Sequence, residues 1–226
     1  MTKAAPTHRT RVRRTAEKAV YDMATIHAIL DASPVAHVGY ILNGAPFVTP
    51  TLQWREGDHV YWHGSAASQM LRGANGAQVC LTVTITDGLL LARSGFEHSI
   101  NYRSVMLFGQ AQLVDDSAAK TLHLQEMMEQ MFPGRWPQLR PMSDKELKAT
   151  TILSMKIEEA SAKISAGMPD DPPRDKSWPV WAGIIPVTQT FGTPQADPES
   201  PPDMPLPHVN FGRQPAQAIA ACWPND

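Results

Sequence analysis

Cysteine is nearly absent from this chain of 226 residues: Cys80 lies inside an apolar run and Cys222 near a Pro-rich end. That excludes a disulfide framework and a Cys-rich zinc site, and it suits a reducing compartment, so a cytoplasmic location is expected. An excess of one charge is lacking too. Twenty Lys and Arg face 22 Asp and Glu, for a formal net charge of -2 with His neutral, which leaves no general basic field for a nucleic-acid backbone. Apolar runs are broken well short of the ~18 residues a bilayer span needs, and the start has no apolar secretory core, so no membrane partner is expected. Familiar catalytic signatures are missing as well: a phosphate loop ending in Lys-Ser/Thr, a dinucleotide GxGxxG, HExxH and GxSxG. His59 and His63 are four apart in strand-like sequence, roughly 13 Å, too far to share one metal ion, and no metal site is expected.

What is present fits one large domain, or one of roughly 150 residues with an appendage. Residues 1–19 form a basic lead-in carrying Lys3, Arg9, Arg11, Arg13, Arg14 and Lys18. It reads either as a nucleic-acid or membrane arm, or as a segment that packs on a partner or stays mobile. Asp22 is placed to cap a short helix through Leu30. The period then becomes strand-like: Val35 to Ile41, a tight turn at Asn43-Gly44, Pro46 to Trp54, and His59 to His63. Gln78 to Thr86 reads as a central strand, turned by Asp87-Gly88 into Leu89 to Ser94. Tyr102 to Val114 reads as one strand bent at Gly109. Asp116 starts a helix with a Met-rich apolar surface. Ser143-x-x-Glu146 is a capping box for another, and Thr150 to Ile157 returns to strand composition. Beyond Gly167 the chain becomes Pro-rich, with only Val180 to Val187 resembling an element. Antiparallel strands with short peripheral helices predict a mainly β, closed or half-closed barrel over 20–193, followed by a Pro-rich tail over 194–226 that hugs the surface or wraps a partner.

Two segments could carry chemistry. In His59 to Ser68 a strand ends at His63, Gly64 permits close backbone approach, and Ser65 begins a short helix, so free N–H groups with the Ser65 and Ser68 hydroxyls could cradle a phosphate. An ordinary helix cap accounts for the same spacing. Arg93 and Arg103, within strand-rich sequence, suit a phosphate by their fork geometry, or else form salt bridges. Cys80 reads as core.

Taken in order, Pro46-Phe-Val-Thr-Pro-Thr51, Tyr61-Trp-His-Gly-Ser65, Val79-Cys-Leu-Thr-Val-Thr84, Asp87-Gly-Leu-Leu-Leu-Ala-Arg-Ser94, Asn101-Tyr-Arg-Ser-Val105 and Trp181-Ala-Gly183 resemble the flavin-nucleotide-binding branch of the pyridoxamine 5'-phosphate oxidase-like superfamily, from about residue 20 to 187. The resemblance implies a split β-barrel that dimerises and binds FMN at the subunit interface. It places Thr49, Pro50 and Thr51 beside the isoalloxazine edge, Trp62 and His63 along the ribityl chain, and Ser65, Ser68 and Gln69 at the phosphate. The better-known oxidases carry an Arg-Lys pair at the end of this cradle where this chain has Ser68-Gln69, so Arg72, Arg93 or Arg103 would have to supply the charge. Asn101 and Trp181 complete the expected cofactor-binding set. The tail lacks an evident Arg-x-His clamp for the phosphate of vitamin B6, which argues against pyridoxamine phosphate as substrate.

The resulting expectation is an FMN-dependent oxidoreductase, a homodimer acting on a small molecule in the interface cleft. The flavin does the electron or hydride transfer, and no protein side chain is assigned a catalytic role. His63 could assist proton delivery. Other readings stay open: a flavin-binding module without turnover, a sensor with an empty barrel, or a heme-binding or heme-degrading relative, for which His37, His63 and His98 supply imidazoles.

Overall fold

A computed structural model describes residues 6–201 and 204–210. It is mainly β: ten strands in one antiparallel sheet, with four α-helices packed around it. Asp22 caps α1 (Met23–Ala32), accepting the Thr25 N–H at 2.9 Å, and Ile26, Ile29 and Leu30 make the buried face that plugs one end of the barrel. β2 (Val35–Leu42) and β3 (Ala45–Glu56) form the expected hairpin. Asn43 and Gly44 adopt φ of 51° and 78°, the left-handed pair that a two-residue turn requires.

β3 is where the barrel divides. Its first part, to Leu52, pairs with β2. From Gln53 it pairs instead with β4 (His59–Ser65). The sheet therefore has two halves. One contains β1 (Ala19–Val20), β9 (Glu159–Ser165), β6 (Ser99–Gln110), β5 (Gln78–Leu91), β2 and early β3. The other contains late β3, β4, β8 (Thr150–Lys156) and β7 (Gln112–Val114). The outermost strands β1 and β7 do not pair with one another, so the sheet is not closed and the fold is a split barrel. At the seam β6 and β8 meet by side-chain packing. A Cβ on Gly109 would sit 2.8 Å from Met155 Cγ, so this close approach needs glycine.

Period-2 alternation fills the space between the halves. Ala36, Val38, Leu81, Val83, Val105, Leu107, Trp62, Leu153 and Met155 point inward and are almost wholly buried. A second cluster of Trp54, Tyr61, Leu124, Met127, Met131 and Ile152 lies under α3 (Ser117–Met131), on the other face of β3, β4 and β8. The Met-rich side of α3 is thus core filling. The capping box of Ser143 and Glu146 is present at the start of α4 (Asp144–Ala149).

Several boundaries differ from the sequence expectation. Asp87-Gly88 is a β-bulge within one continuous β5: partners shift from Thr86↔Tyr102 to Gly88↔Asn101, and Asp87 is held by an ion pair with Arg103 across the ladder. The long strand ending at Val114 is broken at Ala111, whose N–H donates to Ala77 O instead of a ladder partner. β9, with the weak strand sequence Glu-Ala-Ser-Ala-Lys-Ile-Ser, has no counterpart among the elements the sequence predicts. It pairs with β1 and β6, which bury Ala160 and Ala162. Of the Val180 to Val187 expectation, only Gly183–Pro186 is strand: β10, on the second half of β5. The lead-in packs on its own barrel. Arg9 pairs with Glu159 and lies 5.2 Å over the Phe108 ring, and Lys18 Nζ donates to Ser165 Oγ at 2.9 Å. No helix is long and apolar enough to cross a membrane among the described residues.

Candidate functional site

The strongest convergence is where β3 and β4 part. Their ladder stops at Gln53↔Trp62, so Thr49, Pro50 and Thr51 on one strand and Gly64 and Ser65 on the other splay apart. The short α2 (Gln69–Ala74) packs beside them, with Leu71 Cδ1 3.1 Å from the position a Gly64 Cβ would take. Alternation along β3 sends Pro50 to the outer face, opposite His37, and Thr49 inward, where its hydroxyl lies 3.4 Å from the Tyr40 hydroxyl. Val48, beside Pro50, is 68% exposed. The outer face here is an apolar strip edged by backbone and hydroxyl groups.

The expected cradle starts later than the sequence suggested. β4 runs through Ser65, and the helix begins after Ser68, whose hydroxyl accepts the Leu71 N–H at 3.5 Å. Ser65 Oγ accepts the Ala67 N–H and Ser65 O the Ser68 N–H, while Ala66 N–H donates to Ala149 O. Most donors of the turn are therefore already engaged, as in an ordinary cap. Arg72, in the last turn of α2, is exposed.

The remaining residues lie elsewhere. Arg93, Asn101 and Trp181 lie toward the C-terminal end of β5 and Arg103 opposite Ile85 in its middle, whereas the Ser65 to Arg72 group lies by its N-terminal end, up to roughly 40 Å of strand from the far end. Both strand arginines form salt bridges. Arg103 makes a bidentate pair with Asp87 (2.6 and 2.8 Å), with side chains only 6% and 16% exposed. Arg93 binds the buried Asp171 through its N–H and its guanidinium, at 2.8 and 2.9 Å. Burial alone would raise the Asp171 carboxyl, but the Arg93 hydrogen bonds and charge, with His98, bring it below its ordinary value. Asn101 donates to Gly167 O, leaving its buried Oδ1 without a partner. Trp181 is 63% exposed and stacks over Gly183.

Trp62 and His63 point to opposite faces. Trp62 is 0% exposed within the barrel core and its Nε1 has no partner among the described residues. His63 faces the α3 side, edge-on to Trp54 at 5.8 Å between ring centroids. Its Nδ1 is buried without a partner, and burial lowers its pKa, so the ring is held neutral. Beside it lies a polar cluster that sequence reasoning missed. Glu56 accepts hydrogen bonds from Trp54 Nε1 (2.7 Å) and His123 Nδ1 (2.9 Å), and His123 packs 4.4 Å from the Tyr61 ring. Glu56 and His123 are 67 positions apart, and no local signal joins them.

The sequence model of the pyridoxamine 5'-phosphate oxidase family matches residues 22–164. Among solved structures, the chain is similar to the flavocytochrome Anf3 from Azotobacter vinelandii, at 47% identity over 91% of this chain and 96% of that one, with a TM-score of 0.87. It is similar also to the FAD and heme binding protein from Mycobacterium smegmatis, at 34% identity over 91% and 97%, with a TM-score of 0.80. A protein of Bacteroides thetaiotaomicron described as a 5-nitroimidazole antibiotic resistance protein shares the fold, at 21% identity over 65% and 86%, with a TM-score of 0.54. No curated protein matches.

Proposed function

The chain belongs to the pyridoxamine 5'-phosphate oxidase family, and on that premise we propose that it is a redox protein that binds a flavin nucleotide at a cleft between two copies and carries a heme as a second redox group. The observation that carries this reading is the likeness, along nearly the whole of all three chains, to a flavocytochrome and to an FAD and heme binding protein. The parting of β3 and β4 fits a flavin. An apolar strip at Val48 and Pro50 can lie against the ring, backbone groups of Thr49 to Thr51 can meet its polar edge, and Ser65, Ser68, Gln69 and Arg72 can face a phosphate.

The charge balance supports a second copy. Arg93 and Arg103 each hold a carboxylate of this chain, so within one subunit Arg72 is the guanidinium left beside the cradle, and the Asn101 and Trp181 end of β5 is remote from it. A two-fold pair would lay that end of one copy over the cradle of the other. Exposed Val35, Ile41, Phe47, Val48, Ile100 and Met106 on β2, β3 and β6 offer the apolar surface such a pair would cover.

A bound flavin supplies one- and two-electron transfer. The protein's own groups hold and orient: hydroxyls and amides fix the cofactor edge, and His63, kept neutral by burial, is an imidazole with a free ring nitrogen near the same strand end. We propose the tail from residue 194 as an accessory to the cleft or to the partner copy, the barrel ending at 193 and residues 1–19 serving as a separate lead-in. FMN, the expected cofactor, and FAD, which the similar protein of Mycobacterium smegmatis binds, differ only beyond the first phosphate. An absorbance spectrum of the gently purified protein, followed by chromatography of the released flavin, tests the reading. Flavin bands together with a Soret band are expected; a colourless protein that takes up neither added flavin nor hemin refutes it. Sedimentation showing a monomer that still holds flavin refutes the shared cleft.

A further inference from the structure

A buried acceptor is left over between the ends of two helices. Gln53 is 2% exposed where β3 enters its second half, and its side-chain amide staples the end of α1, donating to Leu30 O at 2.7 Å and to Ser33 O at 2.6 Å. Two carbonyl acceptors fix which end of that amide is nitrogen. The oxygen therefore turns away from them, and Gln53 Oε1 is buried with no partner among the described residues. A buried amide oxygen without a donor is costly, so the place favours any N–H or O–H group that can enter it.

Gln53 lines a cavity of about 230 Å³ between α1, β3 and the end of α3. Leu30, Pro34, Trp54 and Met131 give it apolar walls, and all but the half-buried Pro34 are buried. The volume falls short of the ~300 Å³ at which drug-sized sites begin, which limits the occupant to a few heavy atoms. Electrostatics select its sign. Last-turn residues of two helices line the cavity, Leu30 and Asp31 from α1 and Gln130 and Met131 from α3, and each helix C-terminus carries roughly half a negative charge. The Arg55 guanidinium is already engaged: Nε and Nη2 bind the Asp31 carboxylate at 2.8 and 2.7 Å, and Nη1 donates to Gly57 O. That pair is neutral, which leaves the helix ends and Gln53 Oε1 unbalanced. The chain itself answers part of this demand with donors: Asn210, which also lines the cavity, gives its backbone N–H to Met131 O at 2.8 Å and its side-chain amide to Gln130 O at 3.2 Å. We propose that the cavity binds a small organic ammonium, a primary amine with a short alkyl body, whose N–H donates to Gln53 Oε1 while the alkyl part lies against Leu30, Pro34 and Met131. No residue assigned to the flavin cradle lines this cavity, so the site does not rest on the flavin and heme reading.

The test titrates the full chain, as purified, with n-butylammonium chloride at constant ionic strength and follows its amide resonances. n-Butanol and sodium butyrate, of the same length, are the neutral and anionic controls. Saturable shifts centred on the Gln53 side-chain amide and the backbone of residues 30–33 and 130–131 are expected for the ammonium, weaker ones for the alcohol and none for butyrate. Gln53→Met removes the acceptor, and Asp31→Asn leaves the Arg55 charge uncompensated beside the ligand. Each should weaken binding roughly tenfold or more, as the loss of one charge-assisted hydrogen bond or one opposing charge requires. The Asp31 side chain is 46% exposed and takes no part in the Gln53 staple, so its variant decides the matter if Gln53→Met does not fold. Equal binding of the ammonium and the alcohol or butyrate overturns the proposal. Saturation by none of the three also overturns it, the orphan oxygen then being met by water alone, and so does a wild-type titration by Asp31→Asn.

Discussion

Replacing Arg103 by alanine separates two roles the sequence left open, a phosphate ligand and a salt-bridge partner. In the structure its guanidinium makes two bonds to Asp87, at 2.8 and 2.6 Å, between side chains that are 6% and 16% exposed. Removing one member of such a buried pair leaves the other charge desolvated and uncompensated, which costs about 3–5 kcal/mol. For a protein of this size each kcal/mol lowers Tm by about 2–4 °C, so Arg103→Ala should melt roughly 6–20 °C below wild type. Asp87→Ala should cost a similar amount. The double variant should be less destabilised than the sum of the singles, because neither charge is then stranded. Urea denaturation of the flavin-free protein isolates the fold from cofactor binding, and flavin titration of the same variants reads the other role. If Arg103→Ala unfolds at the wild-type midpoint but loses flavin, the ion-pair account is wrong and the phosphate role is restored.

Burial lowers the pKa of both His63 and His27, with Arg55 adding to the effect on His27. The unfolded chain therefore takes up these protons first as pH falls, and stability should decline below about pH 6.5 with a slope of up to about 1.4 kcal/mol per pH unit for each group; His63→Gln should flatten the decline in pH-dependent melting curves. A Cβ on Gly88 would lie 2.9 Å from Ile184 Cγ2 and 3.3 Å from Ile185 O, so Gly88→Ala should loosen β10 from β5, seen as faster amide exchange at residues 183–186 while the barrel core stays protected. Ser143→Ala removes the capping-box acceptor of α4 and should cost about 1 kcal/mol in chemical denaturation. Asn210 donates to Met131 O at 2.8 Å and to Gln130 O at 3.2 Å, so truncation before Pro194 should cost about 1–3 kcal/mol and leave strand content intact by circular dichroism; collapse of the barrel would move the domain boundary.

By itself the sequence determined the elements whose signals are local. Asn43-Gly44 specifies a turn because few other pairs accept two left-handed residues, and Asp22, Asp116 and Ser143 mark helix starts because their side chains cap the N–H groups three residues on. Alternation along β2 and β5 announced a barrel wall, and the ordered fragments from Pro46 to Gly183 announced the family. The last part of the Pro-rich tail, with Trp223, lies outside the described residues. What the chain could not announce is whatever depends on distant partners. β9 has a poor strand composition and exists because β1 and β6 offer it ladders on both edges. Asp87-Gly88 has the composition of a turn, yet the ladder with β6 continues past it and absorbs it as a bulge. The arginines that looked suited to a phosphate meet Asp171 and Asp87, 78 and 16 positions away, and Trp62 and His63 are divided between core and α3 face by the pleat of one strand. Local torsional preference is written residue by residue. Charge pairing and burial are settled only when the two half-barrels meet, because a buried charge takes whichever opposite charge the fold brings within reach.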